Sequence, residues 1–191
     1  MKLIVDNNEK KYKLNGKNLS DVLDLIQNEF DKRIIEKIYI NEVEVNKKYL
    51  TDDLIEVSDI EVLKIQTKTI NELISETLDE IKIYLPKLKH GCIDAADLFR
   101  NNELQEANDK YQLILNGIEW YTKTISKILT LLEDDELKDQ LDNELILMNT
   151  TLKELIDAHE NEDIILVADI LEYELTGFID RFIDKNKIIN K

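Results

Sequence analysis

The chain has 191 residues, 25 of them Lys or Arg and 41 Asp or Glu, for a formal charge of −16 at pH 7. That balance leaves no basic face for nucleic-acid binding, because neutralising phosphates requires clustered cations. With 43% hydrophobic and 35% charged residues, four Gly and one Pro, the composition is that of a folded, helix-rich chain of one or two domains. The lone Cys92 cannot close an internal disulfide. The first residues reach Asp6 after only three consecutive apolar positions, too few for a secretory segment, so a reducing cytoplasm is the expected compartment. The longest apolar run, Ile164 to Ala168, is far below the ~20 residues of a membrane span. Usage rich in Asn, Ile and Lys points to an AT-rich bacterial genome.

In chain order, the first part reads in short period-2 segments. A strand is predicted over Lys2 to Asp6, a turn at Asn7-Asn8, and a second strand over Lys11 to Leu14, where Tyr12 and Leu14 alternate with lysines. Asn15-Gly16 supplies the next turn. Ser20 stands as the expected N-cap of an amphipathic helix whose apolar face is Val22, Leu25, Ile26 and Phe30. Alternation then marks Ile38 and Ile40, Val43 and Val45, and a last strand from about Ile60 to Ile65.

The hairpin at Tyr12 and Leu14, the Val22 to Phe30 helix, and Ile38-Tyr39-Ile40-Asn41 ahead of a valine strand resemble the β-grasp, or ubiquitin-like, fold. Members that act as modifiers or sulfur carriers end in a free Gly-Gly. Here Gln66-Thr67 runs on into a helix, so the resemblance implies a docking module and not conjugation chemistry.

Near Thr67 the period changes to 3.5, which divides the chain into residues 1–66 at net −3 and residues 67–191 at net −13. The first bundle helix carries Ile74, Leu78, Ile81, Leu85, Leu88, Cys92, Ala95 and Phe99, in steps of 3 and 4. Pro86 lies off this seam but removes a hydrogen bond and crowds the Lys82 carbonyl, so a kink is expected, or a break near Pro86 to Gly91. The second helix carries Leu104, Ala107, Tyr111, Ile114, Ile118, Tyr121, Ile125, Ile128 and Leu132. The third carries Leu137, Leu141, Leu145, Met148, Leu152 and Leu155, and the fourth Ile164, Val167, Leu171, Leu175, Phe178 and Phe182. Short connections at Asn101-Asn102, Asp134-Asp135 and Asn161 make consecutive helices antiparallel. The expected architecture is α+β: a small β-grasp domain followed by an antiparallel four-helix bundle. Ala95 to Phe99 with Glu106-Ala107 and Tyr111 also looks like a single tetratricopeptide hairpin, without the 34-residue repeat of that class.

Catalytic and metal chemistry find little purchase. A di-iron bundle needs Glu-x-x-His on two helices, yet Lys87 precedes His90 by three and Ile156 precedes His159 by three. Both histidines read as surface or capping residues. The acidic clusters at Asp134-Asp135-Glu136 and Asp157 to Asp163 lack an EF-hand glycine and read as solvated helix ends. Cys92 falls on a seam, where a thiol is a small buried hydrophobe. No phosphate loop or nucleophile elbow is present. The expectation is a protein without enzymatic activity, cofactor or metal.

Two surfaces are candidates for partner binding. In Asp169-Ile170-Leu171-Glu172-Tyr173-Glu174-Leu175, the side chains of Asp169, Glu172, Tyr173 and Glu174 read either as an outer helix face or as a recognition face for a basic partner. The second surface follows from length. The first bundle helix, about residues 68 to 100, exceeds the third, about residues 136 to 160, by roughly 12 Å at 1.5 Å per residue. The tip residues Phe99, Leu104 and Tyr111, with Ala95 and Ala107, are then expected to be partly uncovered, unless the Pro86 to Gly91 stretch folds the tip back over the bundle.

Asp169 to Leu175, Gly117-Ile118-Glu119-Trp120 and Leu85-Pro86-Lys87-Leu88 resemble segments of uncharacterised proteins of low-GC Gram-positive bacteria, some from flagellar gene neighbourhoods. The resemblance covers about residues 70 to 185 and implies no activity. The leading expectation is a protein-binding factor, such as a cytoplasmic chaperone or adaptor that holds a client helix. The alternatives are an acidic inhibitor or immunity protein masking a basic partner, and an enzyme with a pocket between the two domains. From Glu133 to Asp184 the chain has 17 acidic and 3 basic residues, which locates most of the negative field on the last two helices. Monomer and homodimer both satisfy the seams.

Overall fold

The computed structural model describes residues 1–11, 18–30, 33–46, 60–131 and 135–189. The expected features at Tyr12, Leu14, Asn15-Gly16, Leu132 and Asp134 lie outside them. The chain divides into two compact units, Met1–Ile74 and Ser75–Lys191.

In the first unit, strands β1 (Lys2–Val5), β2 (Asn8–Lys10), β3 (Arg33–Ile40), β4 (Val43–Val45) and β5 (Val62–Thr69) form one mixed sheet in the order β2-β1-β5-β3-β4. The first and last strands are parallel neighbours at its centre, with Leu3 opposite Leu63 and Val5 opposite Ile65. This is the β-grasp arrangement. Helix α1 (Leu19–Glu29) buries Leu19, Val22, Leu23 and Ile26 in the same core as Leu3, Val5, Ile38, Leu63 and Ile65.

Two local expectations need correction. The hairpin turn is Asp6-Asn7, not Asn7-Asn8, so β2 starts at Asn8 rather than Lys11. Its residues have φ of 48° and 64°, a left-handed pair that Asp and Asn tolerate and that matches strand twist. The N-cap of α1 is Asn18, not Ser20. Asn18 Oδ1 accepts the Asp21 amide at 2.8 Å while Asp21 Oδ2 accepts the Asn18 amide at 3.1 Å, a reciprocal capping box.

A polar cluster ties β1, β3 and β5 together. The Thr67 amide donates to Asp6 Oδ1 at 2.8 Å and its hydroxyl donates to Oδ2 at 2.6 Å, while Arg33 Nε donates to that hydroxyl. Burial pushes the Asp6 carboxyl up, but the Thr67 hydrogen bonds and Arg33 together hold it below its ordinary value. Strand β5 runs directly into helix α2 (Ile70–Arg100). Thr69 and Glu72 cap that helix reciprocally, the Thr69 amide donating to Glu72 Oε2 at 2.8 Å and the Glu72 amide to Thr69 Oγ1 at 3.1 Å.

The second unit packs α2, α3 (Leu104–Leu131), α4 (Asp135–Glu160) and a fourth rod made of α5 (Ile164–Asp169), a π-helical turn (Ile170–Leu175) and α6 (Thr176–Ile189). Pairings run in opposite directions between neighbours. Lys89 and Arg100 of α2 meet Asp180 and Asp169, while Glu144 and Thr151 of α4 meet Arg181 and Glu174. The architecture is therefore an antiparallel four-helix bundle. Helix α2 continues through Pro86 to Gly91 without the alternative break.

Both hairpins at one end turn in the same way. Glu103 donates to the Leu98 carbonyl and Asn102 to that of Phe99, and Asp163 and Glu162 repeat this with Ala158 and His159. Asn102 and Glu162 take positive φ, so both corners are Schellman motifs. The correspondence extends along the helices: Phe99, Asn101, Leu104 and Ala107 have counterparts in His159, Asn161, Ile164 and Val167, sixty positions on. From Leu175, the last residue of the π-helical turn, the buried seam positions Ile114, Ile118 and Tyr121 correspond to Leu175, Ile179 and Phe182, sixty-one positions on. One extra residue is accommodated as the π turn.

Candidate functional site

The tip residues are core. Phe99 is 1% and Tyr111 2% exposed, and Ala95 and Ala107 are fully buried; Leu104 alone is partly exposed. His159 from the last turn of α4 stacks on Tyr111 at 4.4 Å, lies edge-on to Phe99 at 6.2 Å, and places Nε2 2.6 Å from Asn108 Oδ1. The third helix thus reaches the tip. The surplus length of α2 lies at its other end, where Ile70 to Ile74 belong to the sheet unit. His159, expected as a surface or capping residue, is a half-buried member of this aromatic cluster, whereas His90 is exposed beside Asp94.

The acidic segment coincides with the π-helical turn. Arg100 reaches across from α2, pairing through Nη2 with Asp169 at 2.8 Å and through Nη1 with Glu172. The hydrogen bonds it donates to the Asp169 and Glu172 carboxylates raise the Arg100 guanidinium pKa further. Its charge also lies 5.8 Å from the Tyr173 ring. The Thr176 hydroxyl donates to the Glu172 carbonyl at 2.5 Å, filling an acceptor where the helix widens. Glu174 turns toward α4, accepting from the Thr151 hydroxyl at 3.4 Å. The structure therefore gathers Asp169, Glu172 and the Tyr173 ring around the exposed Arg100 guanidinium, with Tyr173 itself 65% exposed.

Cys92 is fully buried, and burial pushes its thiol up to about 12. Among the described residues no group of three or more His, Cys, Asp or Glu side chains could hold a metal ion. No described helix is long and apolar enough to cross a membrane.

A different surface has the features of a binding site. Between α2 and α3 run two adjoining clefts of about 270 and 280 Å³ that share Tyr84 and Leu113. Gly91 and Gly117 form parts of their walls where larger side chains would fill them. The Tyr84 ring lies over Gly117 so closely that an added Cβ would sit 2.1 Å from its hydroxyl oxygen. Tyr84 meets Trp120 edge to face at 4.9 Å. Leu113 is 68% and Trp120 38% exposed, large apolar side chains left on the outside of a helix whose own seam is full. At one end Lys110 is held by Asp94 at 2.9 Å, which keeps the Asp94 carboxyl low, while Lys87 is exposed.

The groove lies off the 3–4 seams, which mark buried positions only. Its trace is a second stripe on α3, Leu113, Gly117 and Trp120, also in steps of 4 and 3. Lys87, Leu88, Gly117 and Trp120, from two of the segments that carried the bacterial resemblance, line it.

The fold is that of an α+β protein in which a β-grasp unit precedes a four-helix bundle. Residues 76–185 match the family described as a domain of unknown function (DUF8042), and the chain belongs to that family. No curated protein and no solved structure matches the chain.

Proposed function

We propose that the protein is a non-catalytic binding factor of the cytoplasm, a chaperone or adaptor that holds a client segment on the α2/α3 face of its bundle. The observation that carries this is the exposed apolar groove, with Leu113 and Trp120 standing off a completed core. Exposed, contiguous apolar surface of this kind marks partner sites. The polar groups of its walls, Lys87, Lys110, Tyr84 and Asn116, are few and flank an apolar floor, an arrangement suited to holding a segment. The one thiol of the chain is buried and protonated at neutral pH. The alternative, an acidic mask for a basic partner, draws on the 17 acidic and 3 basic residues between Glu133 and Asp184. Asp169 and Glu172, its best-formed recognition pair, already share Arg100, so the groove is the better-supported surface.

The test is parallel affinity capture from the source cell with the wild-type chain and with Leu113→Glu, read by mass spectrometry. A client recovered with wild type and lost with the variant supports the proposal. Identical recoveries, or no protein enriched by either bait, refute it.

A further inference from the structure

We infer that the α2/α3 groove receives an amphipathic helix whose apolar stripe is flanked by acidic side chains. The inference rests on the binding reading above and names the chemistry of the occupant. Shape points to a helix. Along α3 the groove extends from Lys110 to Trp120, roughly 15 Å at 1.5 Å per residue, or about three turns. Its apolar contacts, Tyr84 on one wall and Leu113 and Trp120 on the other, repeat at the spacing that residues i, i+3 or i+4, and i+7 of a third helix would meet.

Charge selects the flanks. In a chain of net −16, the segments that form the walls, residues 84–91 and 110–120, hold three Lys and a single Glu. Two of those lysines are engaged: Lys89 with Asp180 and Lys110 with Asp94. Lys87, which lines the groove itself, makes no hydrogen bond or ion pair with any described residue. An unpaired ammonium at the lip of an apolar cleft is complementary to a carboxylate presented beside an apolar stripe, and repels a lysine placed there.

The probe is a displayed library of 14-residue peptides with Leu fixed at i, i+4, i+7 and i+11 and all other positions random. It is selected on the full chain with Leu113→Glu as counter-selection. Enriched peptides are then titrated against the emission of Trp120, the chain's single Trp. The expected result is enrichment of Asp and Glu beside the stripe, a saturable blue shift of Trp120, and affinity about fivefold weaker for Lys87→Glu, as one reversed exposed pair implies. Both substitutions are at exposed positions, so folding is preserved and checked by circular dichroism. Enrichment of Lys and Arg, with binding still lost in Leu113→Glu, overturns the acidic occupant and leaves the groove as a binding site. Failure of any peptide to enrich overturns both. A dimer of the chain alone that Leu113→Glu dissociates overturns the inference in favour of a second copy as occupant.

Discussion

Gly117→Ala probes the packing that forms the groove. An added Cβ would meet the Tyr84 hydroxyl oxygen at 2.1 Å, Leu88 Cδ1 at 3.0 Å and Tyr84 Cζ at 3.2 Å. Ordinary contact begins near 3.4 Å, so the Tyr84 ring end must withdraw by about 1.3 Å, while Leu88 gives by a few tenths. The helix itself gains about 1 kcal/mol from replacing an interior Gly with Ala. The edge-to-face contact of Tyr84 with Trp120 at 4.9 Å, worth about 0.5–1.5 kcal/mol, is weakened as the ring swings out. The two effects nearly cancel, so global stability in urea should change by less than about 1 kcal/mol. The site should change visibly. Trp120 loses its ring neighbour and its emission moves to the red, and peptides selected on the wild-type groove bind less tightly. A stability loss above about 3 kcal/mol would refute this reasoning, because it would mean that the two helices, not a movable ring, meet at Gly117. An unchanged emission spectrum would refute it as well.

Phe99→Ser should cost about 3–5 kcal/mol, the penalty of emptying a buried aromatic site, measured by urea denaturation; near-neutral behaviour would return the tip to the surface. Cys92 should resist thiol reagents in the native protein. Because its thiol stays protonated to about 12 when folded and ionises near 9.0 when unfolded, the unfolded state releases a proton that the folded state keeps. Stability should fall between those values by up to about 1.4 kcal/mol per pH unit, a slope that Cys92→Ala lacks. Asp6→Asn should destabilise the sheet unit by about 1–2 kcal/mol at pH 7. As the Asp6 carboxyl is lowered from 3.8 in the fold, its contribution is present above that value and lost as pH falls through the lowered one, so wild type and variant should converge in acid by thermal melts.

The second bundle helix was legible almost residue by residue: Ala107, Tyr111, Ile114, Ile118, Tyr121, Ile125 and Ile128 are all buried. A rod flanked by neighbours along its whole length writes its burial directly into a 3–4 spacing. Short elements were less legible. Strand β2 is three residues long, too short for alternation to register, and its start depends on which two residues accept positive φ. The π turn was not legible from spacing: Val167, Leu171 and Leu175 step twice by four where α2 and α3 alternate, but Leu137, Leu141 and Leu145 do the same in α4, which has no such turn. Helix lengths compared from a common baseline misplace the tip, since the first five residues of α2 belong to the sheet unit. The groove needed two helices at once. Leu113 and Trp120 look like scattered surface residues until Tyr84 and the two glycines are placed opposite them.

The acidity of the bundle falls into two parts, carboxylates paired between rods and a solvated remainder. Three cations, Lys89, Arg100 and Arg181, each bridge from one rod to the next, to Asp180, to Asp169 with Glu172, and to Glu144. Partly exposed pairs of this kind add little stability one at a time, but each places a carboxylate of the acid-rich half against a neighbouring rod. The inserted residue of the π turn serves the same seam, keeping Leu175, Ile179 and Phe182 buried beyond the point where Asp169 and Glu172 fork around Arg100. The remaining carboxylates form a diffuse, solvated field that salt screens within about 8–10 Å, which favours solubility and selects no geometry. Specific recognition requires a shaped apolar surface with few charges in defined places. In this chain an apolar surface of that kind lies where α2 and α3 leave Leu113 and Trp120 exposed next to Tyr84 and Lys87, in a stretch whose net charge is opposite to that of the whole chain.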